Sequence, residues 1–263
     1  MAITTTRYQS PALGRFVTFT AILPFEDFGH YMNPNPHPFV MEKPLRTLYL
    51  LHGITGDDRD WLYSTQIVQY ATKHRLAVIM PDGHNNFYVN NNPSEPWGTF
   101  IGEELVEMTR ALYPLSTKRE DTYIGGLSMG GYGALRNGLK YHQTFSKIIA
   151  LSSALIMDDA VNSTEDAPLS FQKRSHYDRI FGGDVSKLPG SDMDPRRLFE
   201  DASLPVDIFM AVGKDDGLLK VNRSYRDFLE SHGANLTYYE DEGAHEWDFW
   251  NRNIKKGIEW LGK

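Results

Sequence analysis

The chain has 263 residues, no cysteine, and a net charge of −7 from 27 Lys and Arg against 34 Asp and Glu. The absence of cysteine excludes a disulfide framework, thiolate zinc sites, iron–sulfur clusters and a cysteine nucleophile. The acidic balance argues against a nucleic-acid-binding protein, because contacts with phosphates require a basic face. Hydrophobic residues make up 41% of the chain, which is typical of a globular protein.

Targeting signals are not evident. Residues 1–10 are polar, carry only Arg7 as a charged side chain and lack the apolar core of a signal peptide. No stretch of about 18 consecutive apolar residues occurs, so the sequence predicts no membrane span. These features predict a cytoplasmic protein, and a homo-oligomer remains open because nothing in the sequence bears on assembly.

The N-terminal third of the chain predicts strands and one helix. Residues 15–23 alternate in polarity like a half-buried strand, and residues 28–38, rich in Pro, Asn and Gly, predict a long turn. The short apolar runs 47–51 and 76–80 are typical of strands buried on both faces of a parallel sheet. Between them, residues 61–74 have the apolar spacing of a helix.

The alternation of strands and helices continues to the C-terminus. Further strands are predicted at 121–125, 147–152, 206–212 and 236–240, and further helices at 101–112, 131–141, 221–232 and 250–261. This order indicates βαβ units, hence an α/β protein with a mostly parallel sheet and helices on both faces. We expect one domain over residues 1–263.

The segment 154–202 interrupts the rhythm, because it is rich in Asp, Gly and Pro and has little periodicity. It lies between two predicted strands, so we expect it to leave the sheet and pack over one end of it. Two interpretations fit: a surface loop with short helices, or a cap that shapes a substrate site.

The pentapeptide from Gly126 to Gly130, GLSMG, matches the G-x-S-x-G pattern around a nucleophilic serine. The pattern alone is weak evidence, but here a predicted strand precedes it and a predicted helix follows it. Such a turn strains the backbone at Ser128 and crowds the positions two residues away, so Gly126 and Gly130 are needed. The alternative is a glycine-rich turn that binds an anion or only packs.

Two backbone amides are candidates for binding an oxyanion. The turn directs the Met129 amide and the helix N-terminus toward the reacting oxygen. A second donor is expected from the loop that follows strand 47–51, and we assign it to the amide of Ile54. His52 in the same loop is better explained as a structural residue that holds the loop by hydrogen bonds.

The acid and the base should follow Ser128 in that order along the chain. Asp215 and Asp216 follow strand 206–212, and Asp216 is preferred because the chain must leave the strand before a side chain can point back. His245 alone among the nine histidines lies between the last predicted strand and the last helix. Together, Ser128, Asp216 and His245 would form a catalytic triad.

This chemistry requires neither a metal ion nor an organic cofactor. The acidic run at 57–60 could suggest a cation site, but carboxylates that cap a helix N-terminus explain it more simply.

These residues resemble the esterase D group of α/β-hydrolases, which includes tributyrin esterases, feruloyl esterases and S-formylglutathione hydrolases. The likeness extends from about Arg15 to Trp260. It rests on the motifs LLHGxxG at 50–56, GLSMGGYGA at 126–134 and HEWDFW at 245–250. It implies the same triad and the same two amide donors.

One departure from the group bears on the substrate. S-formylglutathione hydrolases typically carry a cysteine after the His-Gly pair, and Ile54-Thr55-Gly56 has none. The match therefore favours the tributyrin-esterase branch, which prefers short acyl esters.

The sequence thus predicts a serine carboxylesterase that acts on short-chain acyl or aromatic, hydroxycinnamoyl-type esters. The alternatives are an S-formylglutathione hydrolase-type thioesterase, an acyltransferase to a sugar and, from another class, a non-catalytic interaction module. Candidate substrate-lining residues are Trp61, Trp97 and Trp247. The asparagine-rich segment 85–92 either binds a sugar alcohol or simply supplies turns.

Overall fold

The computed structural model describes residues 1–25, 32, 44–91 and 94–262. The predicted turn at 28–38 therefore lies outside the described residues, apart from Met32. The described part of the chain contains one eight-stranded sheet in the order β1-β2-β4-β3-β5-β6-β7-β8. The strands are β1 Ala2–Ser10, β2 Arg15–Leu23, β3 Arg46–Leu51, β4 Leu76–Pro81, β5 Thr122–Leu127, β6 Lys147–Leu151, β7 Asp207–Gly213 and β8 Leu236–Asp241.

The sheet is mostly parallel, as predicted. Strand β2 runs antiparallel to both of its neighbours, β1 and β4, whereas every pair from β4 to β8 is parallel. In β3, successive residues join opposite cores: Leu48 and Leu50 belong to one cluster, Tyr49 and Leu51 to the other. Because side chains alternate along a strand, these clusters lie on the two faces of the sheet.

Helices cover both faces. They are α1 Asp60–Ser64, α2 Ile67–Lys73, α3 Trp97–Thr99, α4 Leu105–Leu112, α5 Met129–Lys140, α6 Met157–Val161, α7 Arg174–Phe181, α8 Pro195–Asp201, α9 Leu219–Ser231 and α10 Trp247–Leu261. Tyr132 of α5 and Tyr225 of α9 pack in one core, and Ile67 of α2 and Ile254 of α10 pack in the other. This is the α/β-hydrolase fold that the resemblance implied.

Two predicted helices needed correction. The helix expected at 61–74 is two helices, because the Thr65 hydroxyl donates to the Trp61 carbonyl and accepts from the Ile67 amide. Such local bonds compete with the helix ladder. The helix expected at 101–112 is α4, preceded by a π-helical turn at Phe100–Glu104.

Strand β1 was missed because its inward face is polar. The hydroxyls of Thr4 and Thr6 form hydrogen bonds with the Tyr113 hydroxyl. The hydroxyls of Tyr8 and Ser10 donate to the Glu104 carboxylate. Its side chains alternate between half-buried and exposed as in any strand, but without the apolar residues by which a strand is recognised.

The 154–202 segment contains α6, α7, α8 and two short 3₁₀ turns. Its end is bound to α5: the Tyr132 hydroxyl donates to the Met193 carbonyl at 2.6 Å, and the buried Arg136 donates to the backbone and side chain of Asp192. No helix in the described ranges is long and apolar enough to cross a membrane.

Candidate active site

Ser128 lies at the junction between β5 and α5 with a φ of 54°, a value that L-residues rarely adopt. Three backbone bonds hold it there. Its amide donates to the Leu151 carbonyl at 2.9 Å, and its carbonyl accepts from the amides of Tyr132 and Ala154. The neighbouring backbone therefore fixes the strained conformation that the sequence predicted.

The glycines on either side of Ser128 are required by close packing. A Cβ on Gly126 would lie 2.4 Å from the Gly130 carbonyl oxygen. A Cβ on Gly130 would lie 2.4 Å from the carbonyl oxygen of Leu51 and 2.6 Å from that of His52. The predicted crowding is confirmed, and its source is the start of α5 pressed against the end of β3.

The structure brings together the three side chains expected to act together. His245 Nε2 lies 2.9 Å from Ser128 Oγ, and His245 Nδ1 lies 3.0 Å and 3.2 Å from the two carboxylate oxygens of Asp216. The Trp250 ring packs edge-on against the imidazole, with centroids 4.9 Å apart. A continuous hydrogen-bonded path thus connects a buried carboxylate to the serine.

Asp216, rather than Asp215, faces the histidine. Asp216 is 5% exposed, whereas Asp215 is exposed and follows the turn with its amide bonded to the Gly243 carbonyl. Burial raises the pKa of the Asp216 carboxyl, but bonds from His245 and the Leu218 amide outweigh it and leave this pKa below its usual value. Asp216 is therefore ionised at neutral pH.

Ser152 supports the carboxylate and was not singled out from the sequence. The Trp250 indole N–H donates to the Ser152 hydroxyl at 3.1 Å, which leaves the hydroxyl hydrogen for Asp216. Ser152 has a φ of 45°, like the strained Ser128 on the neighbouring strand. A serine at the end of a strand carries no sequence signal of this kind, because the contact depends on the crossing of β6 and α10.

The two residues predicted to supply amide donors line the same cavity. Ile54 and Met129 line one cavity with Ser128, and neither amide donates a hydrogen bond within the described part of the chain. Met129 is the first residue of α5, where an amide has no intrahelical acceptor. The loop of Ile54 is held by Asn85, whose side-chain oxygen accepts from the Thr55 amide at 2.8 Å.

The structural role predicted for His52 is confirmed. The ring is 1% exposed, its Nε2 accepts from the Gly83 amide at 2.9 Å, and its Nδ1 donates to the Gly53 carbonyl at 2.7 Å. Burial lowers the pKa of His52, which agrees with a neutral ring that both donates and accepts.

Side chains of the acidic run and of the asparagine-rich segment form hydrogen bonds within the protein. Asp57 accepts from the Arg59 amide just before α1, and Asp58 accepts from the Thr20 hydroxyl. The side chain of Asn90 bonds to Thr99, and that of Asn91 bonds to carbonyls of α7. In the described ranges, no three His, Asp or Glu side chains group as metal ligands would.

A cavity of about 430 Å³ opens beside Ser128. It is lined by Ile54, Phe87, Ser128, Met129, Ala154, Ile156, Asp159, Phe171, Gln172, His176, Tyr177, Asp216, Gly217, Leu218 and His245. The 154–202 segment supplies the wall from Ala154 to Tyr177, so it combines both interpretations: it contains short helices and it also shapes the site. His176, which the sequence did not place near the serine, belongs to this wall.

The three tryptophans lie elsewhere. None of them is among the described residues that line this cavity. Trp61 and Trp97 are each 1% exposed, and the Trp61 indole donates to the Leu51 carbonyl. Trp247 packs edge-on against Trp61, with ring centroids 5.6 Å apart. Trp97 and Trp61 thus pack in the cores on opposite faces of the sheet, and Trp247 is half-buried beside Trp61.

The chain is similar to known esterases in sequence and in fold. An acetyl esterase from Caldicellulosiruptor saccharolyticus is 43% identical over 269 residues, which cover 100% of this chain and 99% of the relative. An S-formylglutathione hydrolase structure from Staphylococcus aureus superposes with a TM-score of 0.83 at 30% identity, covering 100% of this chain and 99% of the other. A ferulic acid esterase structure, at 21% identity and a TM-score of 0.73 over 99% and 97% of the two chains, shares the fold.

The mostly parallel sheet and the serine turn at the carboxyl end of β5 are those of the α/β-hydrolase class. Residues 29–261 match the model of the Esterase family. The chain belongs to this family and is a carboxylic ester hydrolase, as the resemblance to the esterase D group implied.

The packing at Gly130 gives a testable prediction. Alanine is ordinarily favoured over glycine within a helix by about 1 kcal/mol, yet Gly130→Ala should lower the midpoint of thermal unfolding. Overpacking costs about 1–3 kcal/mol, and each kcal/mol lowers the midpoint by about 2–4 °C in a chain of this size.

The matched control is Gly217→Ala, because a Cβ on Gly217 would meet nothing within 4 Å. Its midpoint should equal that of the wild type. A Gly130→Ala protein as stable as the wild type would contradict the crowding argument.

Proposed function

We propose that this esterase is a serine carboxylesterase in which Ser128 is the nucleophile, His245 the general base and Asp216 the residue that orients the imidazole. The hydrogen-bonded path from Asp216 through His245 to Ser128 Oγ carries the proposal. A neutral histidine that donates from Nδ1 to a carboxylate must accept at Nε2, where the serine proton lies.

In the first half of the reaction, Ser128 Oγ attacks the ester carbonyl carbon while its proton passes to His245 Nε2. The bond from the carbonyl carbon to the alcohol oxygen then breaks, and the imidazolium returns the proton to the leaving alcohol. Water attacks the acyl-serine in the second half and gives its proton to Nε2. The bond between the acyl carbon and Ser128 Oγ then breaks, the imidazolium returns the proton to Oγ, and the acid product leaves.

The Ile54 and Met129 amides are proposed to stabilise the negative charge on the carbonyl oxygen in both halves. Their lack of acceptors within the described part of the chain and their place in the cavity support this role. A preorganised pair of donors requires no rearrangement when the charge develops. Asn85, through the Thr55 amide, fixes the loop that presents Ile54.

We propose short-chain or aromatic acyl esters as substrates. The acetyl esterase relative, 43% identical along the whole chain, supports a short acyl group. The cavity is large enough for a small organic ester, and the rings of Phe87, Phe171 and Tyr177 could contact an aromatic one.

Hydrolysis of S-formylglutathione is the second candidate, supported by the 30% identical Staphylococcus aureus enzyme. Glutathione carries two carboxylates at neutral pH, and recognition of carboxylates ordinarily uses Arg or Lys. No Arg or Lys is among the described residues that line the cavity. We therefore rank the thioester behind oxygen esters.

We also propose that residues 1–263 form one domain. The Tyr132–Met193 and Arg136–Asp192 bonds connect the 154–202 segment to α5 and support this arrangement.

A fluorophosphonate probe tests the nucleophile. The probe should label the wild type on a peptide containing Ser128 and should not label Ser128→Ala, because only the hydrogen-bonded serine is activated. Another serine hydrolase in the same reaction serves as a positive control. Absence of labelling in the wild type, or labelling of a different serine, would contradict the assignment.

The adjacent carboxylates offer a matched pair of variants. Asp216→Asn should lower kcat by about 10³–10⁴-fold, because the amide cannot hold the imidazole in the required tautomer. Asp215→Asn should stay within about threefold of the wild type, as is usual for an exposed side chain. Steady-state rates on 4-nitrophenyl acetate measure both, and the reverse order would reassign the acid.

A substrate panel separates the two candidate functions. We expect kcat/KM for 4-nitrophenyl acetate, 4-nitrophenyl butyrate or methyl ferulate to exceed that for S-formylglutathione. 4-Nitrophenyl octanoate reports the limit on chain length. A thioester kcat/KM far above that of every oxygen ester would establish the thioesterase instead.

A further inference from the structure

The cavity beside Ser128 has a buried floor and an exposed rim. Phe87, Met129 and Tyr177 on the floor are buried, whereas Asp159 and Phe171 on the rim are exposed, Phe171 by 47%. An ester bound at Ser128 can therefore place one half in a closed apolar space and the other half toward solvent.

The alcohol half belongs on the rim. His245, which returns the proton to the leaving alcohol in the proposed reaction, has a side chain 36% exposed, whereas Ser128 is buried. The acyl half remains attached to Ser128 until water arrives, so the closed floor suits it. This assignment rests on the proposed function.

Asp159 is an unpaired negative charge on this rim. Its carboxylate makes no hydrogen bond or ion pair with any described residue. Burial and, secondarily, the charge of Asp159 raise the pKa of Tyr177, which places the carboxylate within electrostatic range of the cavity wall.

The other ionisable groups of the cavity do not cancel this charge. Asp216 is paired with His245, and burial, reinforced by Arg179, lowers the pKa of His176, so this ring is neutral at neutral pH. No Lys or Arg among the described cavity-lining residues therefore balances the charge of Asp159, and Arg179 acts only from outside this lining, through its effect on His176.

The neighbouring carboxylate has different surroundings. Asp158 is also exposed, but it lines a separate cleft together with Arg196 and Lys220. Two cations thus surround Asp158 and none of the described cations accompanies Asp159 in the cavity. Asp158 and Asp159 of α6 are therefore a matched pair of exposed carboxylates, of which only Asp159 lines the cavity beside Ser128.

We propose that Asp159 is a specificity-determining residue that favours esters whose alcohol half carries a positive charge and disfavours those whose alcohol half is anionic. The carboxylate attracts a cation directly. The exposed Phe171 ring offers an aromatic face to a quaternary ammonium group. Compounds of this class are esters of amino alcohols and of quaternary ammonium alcohols.

The experiment compares acetylcholine with 3,3-dimethylbutyl acetate, an uncharged ester of nearly the same shape. The measured quantity is the ratio of their kcat/KM values in the wild type, Asp159→Asn and Asp158→Asn, at low and high salt. Two unit charges about 4 Å apart in a water-like dielectric correspond to roughly a fivefold ratio. We expect about that preference for the cation in the wild type at low salt.

The ratio should fall to near one in Asp159→Asn, because the ratio cancels any change that affects both esters equally. It should persist in Asp158→Asn, and salt at about 1 M should reduce it in the wild type by screening. An unchanged ratio in Asp159→Asn, or equal losses in both variants, would overturn the proposal. Failure of the wild type to hydrolyse either ester would instead contradict the proposed function, and this inference with it.

Discussion

The close approach of α5 to the end of β3 is the constraint on which the site depends. The backbone turns from β5 into α5 within one residue, and the carbonyls of Leu51 and His52 occupy the space where a side chain on Gly130 would begin. Three features of the site meet at this contact: the strained Ser128, the Met129 amide at the start of α5, and the loop that carries Ile54. The geometry of the catalytic residues therefore depends on the close packing of the α5 backbone against the β3 backbone.

The parallel sheet then brings distant residues to one edge. Ser128 follows β5, Asp216 follows β7 and His245 follows β8, so the carboxyl ends of three strands supply the hydrogen-bonded path. Buried neutral groups support this path. Ser152 and Trp250 contact Asp216 and His245. His52 connects the loop at Gly53 to Gly83 by hydrogen bonds. Asp216 is thus buried, whereas His245 and the rim of the cavity are exposed to solvent.

Much of this could be predicted from the sequence, because strong local patterns specify it. The apolar runs of β3 to β7 predict the class of sheet, and the GLSMG turn predicts the junction at Ser128. The order of residues along the chain then indicates the segments that contain Asp216 and His245. Strand β1 was missed because its inward face is polar. The sequence predicts a single helix at 61–74, because the spacing of apolar residues does not reveal the hydrogen bond of the Thr65 hydroxyl that interrupts it.

The cavity wall was the least predictable part. Much of it comes from the 154–202 segment, which has little periodicity and is bonded to α5 at Asp192 and Met193. Neither the unpaired Asp159 nor the cavity-lining His176 has a sequence signal, because both depend on where that segment folds back. The tryptophans suggested as lining residues have rings large enough to fill the core, and two of them are fully enclosed there.

The central claim is that hydrolysis proceeds through an acyl group carried on Ser128. Rapid quenching of the enzyme during turnover of 4-nitrophenyl acetate, followed by peptide mass mapping, tests it most directly. We expect an acetyl group on Ser128 in the wild type and its absence from Ser128→Ala, together with loss of turnover. Hydrolysis by Ser128→Ala at the wild-type rate, or an acetyl group accumulating on another residue during turnover, would contradict it.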